Sequence, residues 1–153
     1  MNAGKGTEIR VSRVIDTTAH DLYQAFIDPA QHVNWGPTRF ENEPHIGGKY
    51  HQETDFGDAT YVIDGDYPNL IPNRLIAMNW NFFQKGSDDV SVFEVTIEIE
   101  PGVEGGTRIT ATETGPSITE TTPGDDYHEA WEQVFTALEK YLLERKLTKE
   151  EQK

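Results

Sequence analysis

The side chains with the clearest chemical potential in this chain are a histidine and a glutamate near its far end. His128 and Glu132 are four positions apart, so they would share one face of a helix. His128-Glu129 opens like the helical zinc motif His-Glu-x-x-His, but Glu132 stands where the second histidine would be. Because zinc needs three or four converging ligands and the sequence offers no further partner, we predict no metal site and a solvated helix face.

The sequence also lacks the common catalytic motifs. The chain has no cysteine, which excludes disulfides, thiol catalysis and thiolate metal sites. The triplet Asp-Phe-Gly at 55–57 matches the magnesium-binding triplet of kinases, but no Gly-rich phosphate loop accompanies it, so a turn is predicted there. The serines lie in no nucleophile elbow. We therefore predict no cofactor and assign no catalytic residue, and we expect the chain to bind rather than to catalyse.

A carboxyl group on an apolar strand face is a sharper clue. Ile109, Ala111 and Glu113 alternate along one segment, so Glu113 shares a face with two apolar residues. If buried, it would need a hydrogen-bond partner, and its raised pKa would let it act as an acid or base. The alternative is a solvated Glu113 at the strand end. Gln52 shares a face with Tyr50 in the same way.

Aromatic side chains recur through the strand patterns and the last helix, and together they predict a cavity. Flat rings fill a small sheet-and-helix interior poorly, and tryptophan and tyrosine supply polar tips that orient a ligand. For each ring alone, ordinary core packing is the alternative. The residues predicted to border the cavity, with Trp35 near its mouth, are Trp35, Tyr50, Gln52, Tyr61, Met78, Trp80, Phe93, Glu113, Tyr127 and Trp131.

The elements that would hold these residues follow from hydrophobic periodicity. Glu8–Ile15 has the alternation of a strand. Thr18 and Asp21 form a capping box that starts a short helix, and Pro29 suits the first position of a second one. A Pro-Asn loop is predicted between the third and fourth of the strands that follow. These strand patterns lie at 39–45, 49–54, 59–67, 74–83, 90–100 and 107–114.

A long amphipathic helix is predicted at 123–145. Its apolar seam is formed by Tyr127, Trp131, Val134, Leu138 and Leu142. Strands and helices in this order predict an α+β fold, in which a curved antiparallel sheet of six to seven strands wraps around the long C-terminal helix. One domain is expected over residues 8–146, with flexible tails at 1–7 and 147–153.

Charge and composition exclude several partners. The chain of 153 residues carries a formal net charge of −14, and such an acidic surface repels nucleic-acid backbones and anionic membranes. No apolar stretch approaches the length of a membrane span. The first residues lack the apolar run of a signal peptide, so we expect a cytoplasmic location.

The order of several short motifs resembles the family named for the activator of heat-shock-protein-90 ATPase homologue, within the START-like (SRPBCC) superfamily. The first motifs are Ala-Phe-Ile-Asp-Pro at 25–29, followed by Trp35, then Gly-Gly-Lys-Tyr at 47–50 and Gly-Asp-Tyr at 65–67. The later ones are Pro-Asn-Arg-Leu-Ile at 72–76, followed by Trp80, then Gly-Thr-Arg-Ile at 106–109 and Trp-Glu-Gln-Val-Phe-Thr-Ala-Leu at 131–138. This resemblance covers nearly the whole chain and implies a helix-grip fold. It implies no particular reaction, because one fold hosts many functions.

Three functions remain open. The first, which we favour, is binding of a small apolar or aromatic molecule in a cavity between sheet and helix. The second is a protein-interaction module that acts with a chaperone ATPase, as the family name implies. The third is an enzyme of the cyclase or hydrolase type that uses Glu113 or a cavity tyrosine. The oligomeric state is left open, with a homodimer as one alternative.

Overall fold

A computed structural model describes residues 8–115 and 124–151, the side chains of 124–127 and 149–151 excepted. One strand, two short helices, six further strands and a long helix follow one another, as the sequence predicts. The elements are β1 (Glu8–Ile15), α1 (Ala19–Ile27), α2 (Pro29–His32), β2 (Arg39–Asn42), β3 (Lys49–Asp55), β4 (Thr60–Ile71), β5 (Leu75–Gln84), β6 (Ser91–Val103), β7 (Gly106–Thr114) and α3 (Gly124–Glu151).

The strands form one antiparallel sheet in the order β1-β7-β6-β5-β4-β3-β2. Strands β2 to β7 each pair with their neighbours in sequence, which suits short hairpin connections. The first strand instead pairs with the last, from Glu8 opposite Thr114 to Ile15 opposite Thr107. The predicted α+β fold, an open antiparallel sheet around a C-terminal helix, is therefore confirmed.

The two short helices carry the chain from one edge of the sheet to the other. Thr18 caps α1, because its hydroxyl oxygen accepts a hydrogen bond from the Asp21 amide at 3.1 Å. Asp28 caps α2 in the same way, and Pro29 occupies a first-turn position where a missing N–H costs nothing. Both predicted helix starts are correct.

Strand β4 is longer than its sequence predicts. The expected loop after residue 67 is instead a continuation of the strand to Ile71, with a register shift between Asp66 and Asn69. Pro68 lies inside this irregularity and is exposed. A proline has no N–H for the ladder, and a bulge is one of the places where a sheet tolerates it. The prediction that Pro68 ends the strand is therefore wrong.

Helix α3 lies over the face of the sheet that carries most of the apolar residues. Trp131, Phe135, Leu138 and Leu142 are buried on it, at 6%, 0%, 0% and 3% exposure. Val134 is only partly buried against the core, and the side chain of Tyr127 lies outside the described residues. The helix continues to Glu151, past the domain boundary expected at residue 146.

The guanidinium of Arg13 ties this helix to the edge strand β1. It contacts the carboxylates of Glu132 at 3.1 Å and Glu139 at 3.3 Å, and only 24% of the Arg13 side chain is exposed. No helix in the described part of the chain is both long enough and apolar enough to cross a membrane.

Candidate functional site

Strand register brings several of the predicted cavity residues onto the sheet face beneath α3. Trp80 lies opposite Phe93, and Met78 lies opposite Val95, which in turn lies opposite Glu113. Since side chains alternate along a strand, these residues share one face. The prediction that the cavity residues share one sheet face, which was made from the alternation of side chains along each strand, is thus correct for those on β5, β6 and β7.

Glu113 lies on this face and is bonded to the helix above it. It is 4% exposed, and its Oε1 atom accepts a hydrogen bond from the indole N–H of Trp131 at 2.9 Å. Burial raises the pKa of the Glu113 carboxyl, and the Trp131 hydrogen bond opposes that rise in part. The alternative of a solvated strand-end glutamate is therefore wrong. A buried carboxyl of this kind can orient a ligand or exchange a proton.

The indoles of Trp80 and Trp131 stack between the sheet and the helix. Their ring centroids are 5.8 Å apart and their planes make an angle of 27°. Trp80 is half-buried, and its Nε1 atom is shielded from solvent without a hydrogen-bond partner in the described residues. Trp131 extends the contact to Phe135, at a centroid distance of 5.8 Å. The site therefore has flat apolar walls and one unused donor.

A second aromatic pair continues the wall toward the other edge of the sheet. Tyr61 stacks on Phe82 with centroids 5.6 Å apart and planes at 8°. Gln52 lies opposite Ile63, which lies opposite Phe82, so Gln52 belongs to this row. All four side chains are half-buried. Ile63 was not predicted to border the cavity, whereas Phe82 is one of the aromatic strand residues whose convergence between sheet and helix was predicted.

Trp35 and Tyr50 are held by hydrogen bonds to backbone carbonyls, and Tyr50 shares the face of Trp80, since both lie opposite Gly65. Trp35 stacks on His32 at 4.5 Å and donates its N–H to the Ala25 carbonyl at 3.1 Å. Tyr50 is 4% exposed and donates its hydroxyl to the Asn79 carbonyl at 2.6 Å. Burial raises the pKa of the Tyr50 phenol well above its ordinary value, so it stays protonated. A mouth at Trp35 stays a prediction.

An open groove of about 760 Å³ lies on the opposite face of the sheet. Glu41, His51, Asp64 and Asn81 follow one another across four neighbouring strands and form one of its rows. The groove is lined by Glu41, Asn42, Glu43, Lys49, Tyr50, His51, Asp64, Gly65, Asp66, Asn79 and Asn81. In the ranges that the structure describes, no group of three His, Asp or Glu side chains could hold a metal ion. This polar groove was not predicted.

Solved structures from several bacteria share this architecture. A protein from Mesorhizobium loti is 23% identical, with a TM-score of 0.72 over 90% of this chain and 97% of that one. A Chromobacterium violaceum protein is 24% identical, with a TM-score of 0.73 over 89% and 97%. The Aha1 dimer from Colwellia psychrerythraea is 19% identical, with a TM-score of 0.68 over 88% and 95%. Identities this low support the shared fold alone.

The sheet, the two short helices after β1 and the helix α3 define a START-like helix-grip protein. Residues 16–143 match the family model described as Activator of Hsp90 ATPase homolog 1-like protein. The chain belongs to that family, and the predicted resemblance is confirmed. No curated protein matches the chain significantly.

Proposed function

We propose that this protein binds a small apolar or aromatic molecule between α3 and strands β4 and β5. One observation carries the proposal: the apolar side chains on that part of the sheet are only half-buried, although they face the helix side of the molecule. Those side chains are Tyr61, Ile63, Met78, Trp80 and Phe82. A site for a small molecule needs such an apolar surface with a few polar groups placed in it.

The polar groups of this region support the same proposal. Glu113 and the N–H of Trp80 are shielded from water within an apolar wall, and Gln52 lies on the same face. Buried polar groups are normally paired, because an unpaired one costs free energy. A ligand with a matching polar atom would use the Trp80 donor and explain why it is left open.

Binding of a neutral fluorescent probe tests this proposal. Nile red should bind with enhanced emission, and Phe82→Ser should weaken binding roughly tenfold, since about 1.5 kcal/mol of apolar contact is lost. Phe83→Ser is the matched control, because Phe83 pairs with Val62 and therefore points to the other face. Equal losses in both variants, or no binding by the unaltered protein, would contradict the proposal.

A chaperone partner is the second candidate, favoured by the description of the matching family as activators of the Hsp90 ATPase. The measurement is the ATPase rate of an Hsp90-type chaperone with and without the protein. The variant Phe82→Ser separates the two functions. Stimulation that survives in this variant, together with lost probe binding, would assign the chaperone role to another surface. An unchanged ATPase rate would dismiss this candidate.

The enzyme alternative rests on Glu113, which is buried and bonded to Trp131. It predicts that a bound ligand is converted to product and that Glu113→Gln stops the conversion but not the binding. Mass spectrometry of the ligand before and after incubation measures this directly, and an unchanged ligand would dismiss it. The cytoplasmic location and the homodimer stay predictions; sedimentation velocity measures the latter.

A further inference from the structure

The indole N–H of Trp80 is a buried donor that the described part of the chain leaves unused. Its Nε1 atom is shielded from solvent and has no hydrogen-bond partner within residues 8–115 and 124–151. An unpaired buried donor costs free energy, and folded proteins pair nearly all such groups. An acceptor that binds beside Trp80 would recover that cost, so this atom is a natural point of ligand recognition.

The other indoles of the chain show that this is a property of one position. The sequence has three tryptophans. Trp35 donates to the Ala25 carbonyl at 3.1 Å, and Trp131 donates to the Glu113 carboxyl at 2.9 Å. Among the three, Trp80 alone has no acceptor within the described residues, and it lies on the sheet face where the side chains are half-buried.

The surroundings of Trp80 select the shape of the ligand. Trp131 stacks on Trp80 with ring centroids 5.8 Å apart. Phe82, which is two positions further along β5, stacks on Tyr61 with ring centroids 5.6 Å apart and nearly parallel planes. Aromatic rings pack best against other flat groups in offset stacks or edge contacts. A planar aromatic molecule fits these walls better than a branched aliphatic one.

Charge selects the acceptor. Glu113 is 4% exposed on the same face, with Trp131 hydrogen-bonded to its Oε1 atom. The whole chain carries a net charge of −14. A carboxylate or phosphate brought beside Trp80 would meet a buried acid inside an acidic protein, and burial of an unpaired anion is costly. An uncharged oxygen, such as that of a ketone or quinone, avoids this cost.

We propose that the site takes a flat, uncharged aromatic molecule with a carbonyl-type oxygen, and that Trp80 Nε1–H donates a hydrogen bond to that oxygen. This inference rests on the proposed ligand binding at the α3 face and adds to it the chemical class of the ligand. Glu113 stays bonded to Trp131, and Trp80 is the residue that determines the preference for a carbonyl group.

Fluorene and 9-fluorenone form a matched pair of probes for this test, because they differ only in a methylene against a carbonyl group. After correction for their partition from water, the unaltered protein should prefer fluorenone roughly fivefold, as one net hydrogen bond provides. The infrared carbonyl stretch of bound fluorenone should shift to lower frequency. In Trp80→Phe both the preference and the shift should disappear. The preference is the ratio of the affinities of the two probes for the same variant. Packing lost by the substitution weakens both probes alike, so it does not change this ratio.

Trp35→Phe is the control, since it deletes an indole N–H that the protein already pairs, and it should keep the preference and the shift. If neither probe binds, both the proposed function and this inference fail. If fluorene binds but fluorenone is not preferred and its carbonyl stretch is unshifted, ligand binding stands and the Trp80 donor is overturned. A preference that survives in Trp80→Phe overturns it as well. If Trp80→Phe does not fold, the unaltered protein still overturns the proposal when it shows no preference, and Trp80→His replaces Trp80→Phe as the variant.

Discussion

The two halves of the sheet face beneath α3 are packed to different degrees. Over β7 and β6 the side chains facing the helix are almost fully shielded, with Ile97, Ile109 and Ala111 all at 0% exposure. Over the 78–82 part of β5 and the adjoining 61–63 part of β4 the corresponding side chains, among them Met78 and Phe82, are half-buried. Both halves are apolar, so hydrophobicity alone does not separate them. Coverage by the helices separates them, because α3 contacts β1 and α1, and α1 in turn contacts β6.

This difference separates stability from recognition within one sheet. In the closed half, burial and close packing supply most of the hydrophobic free energy. In the half-buried part the same kind of side chain contributes less to folding and keeps surface available for a ligand. A fold organised in this way can change its ligand-facing residues at small cost, which agrees with one family hosting different functions.

The largest expected effect comes from a pair of identical substitutions, one on the buried face of α3 and one in the half-buried part of the sheet. Phe135 is fully buried at 0% exposure, so Phe135→Ala should cost about 3–5 kcal/mol of unfolding free energy. Phe82→Ala should cost clearly less, because the ring is only half-buried. Urea denaturation of both variants measures the difference.

Backbone propensity works against this result, which makes it a demanding test. Alanine is favoured in a helix, where Phe135 lies, and disfavoured in a strand, where Phe82 lies. Propensity alone would therefore make the strand substitution the costlier one. Equal losses in the two variants would mean that Phe82 is packed as tightly as the buried face of α3.

A smaller effect is expected at the edge where α3 meets β1. Arg13→Ala removes contacts to Glu132 and Glu139 from a side chain that is 24% exposed, and it should cost about 1 kcal/mol, less at high salt. Arg10→Ala on the same strand is the control, since the Arg10 side chain is 62% exposed and its pair with Glu8 should contribute almost nothing. Thermal unfolding at low and high salt measures both, and similar losses would dismiss the Arg13 link.

The fold was predictable because its signals are local. Alternation in β1 and the cap at Thr18 depend on residues close together in the chain, and both predictions are confirmed. The extension of β4 through Pro68 was not predictable in this way. It depends on pairing with β5, where Leu70 lies opposite Ile76, and a bulge absorbs the proline.

The sequence predicts which sheet face each residue of the candidate site lies on better than it predicts which side chains that residue contacts. The period of two placed Trp80 and Glu113 on one face, as the register confirms. The partner of Glu113 depends on where Trp131 of α3 lies, and the polar groove needs the register of four strands. Such contacts join residues far apart in sequence, so periodicity carries no information on them.

The smallest expected effect is a change in the pH dependence of stability, and it tests whether Glu113 belongs to the closed part of the molecule. Burial raises the pKa of Glu113 above its ordinary value of 4.5, so the folded state holds this proton to higher pH than the unfolded state does. Stability should therefore fall as the pH rises from 4.5 through the folded pKa, and level off above it. Glu113→Gln cannot titrate, and its amide oxygen can still accept the Trp131 N–H. The stability of this variant relative to the unaltered protein should thus increase as the pH rises.

Denaturation midpoints between pH 4 and pH 8 measure the two slopes, with Glu94→Gln, an exposed position, as the control. If Glu113→Gln and Glu94→Gln change the slope equally, Glu113 is solvated in solution, and the polar part of the α3 face is as accessible as its aromatic part.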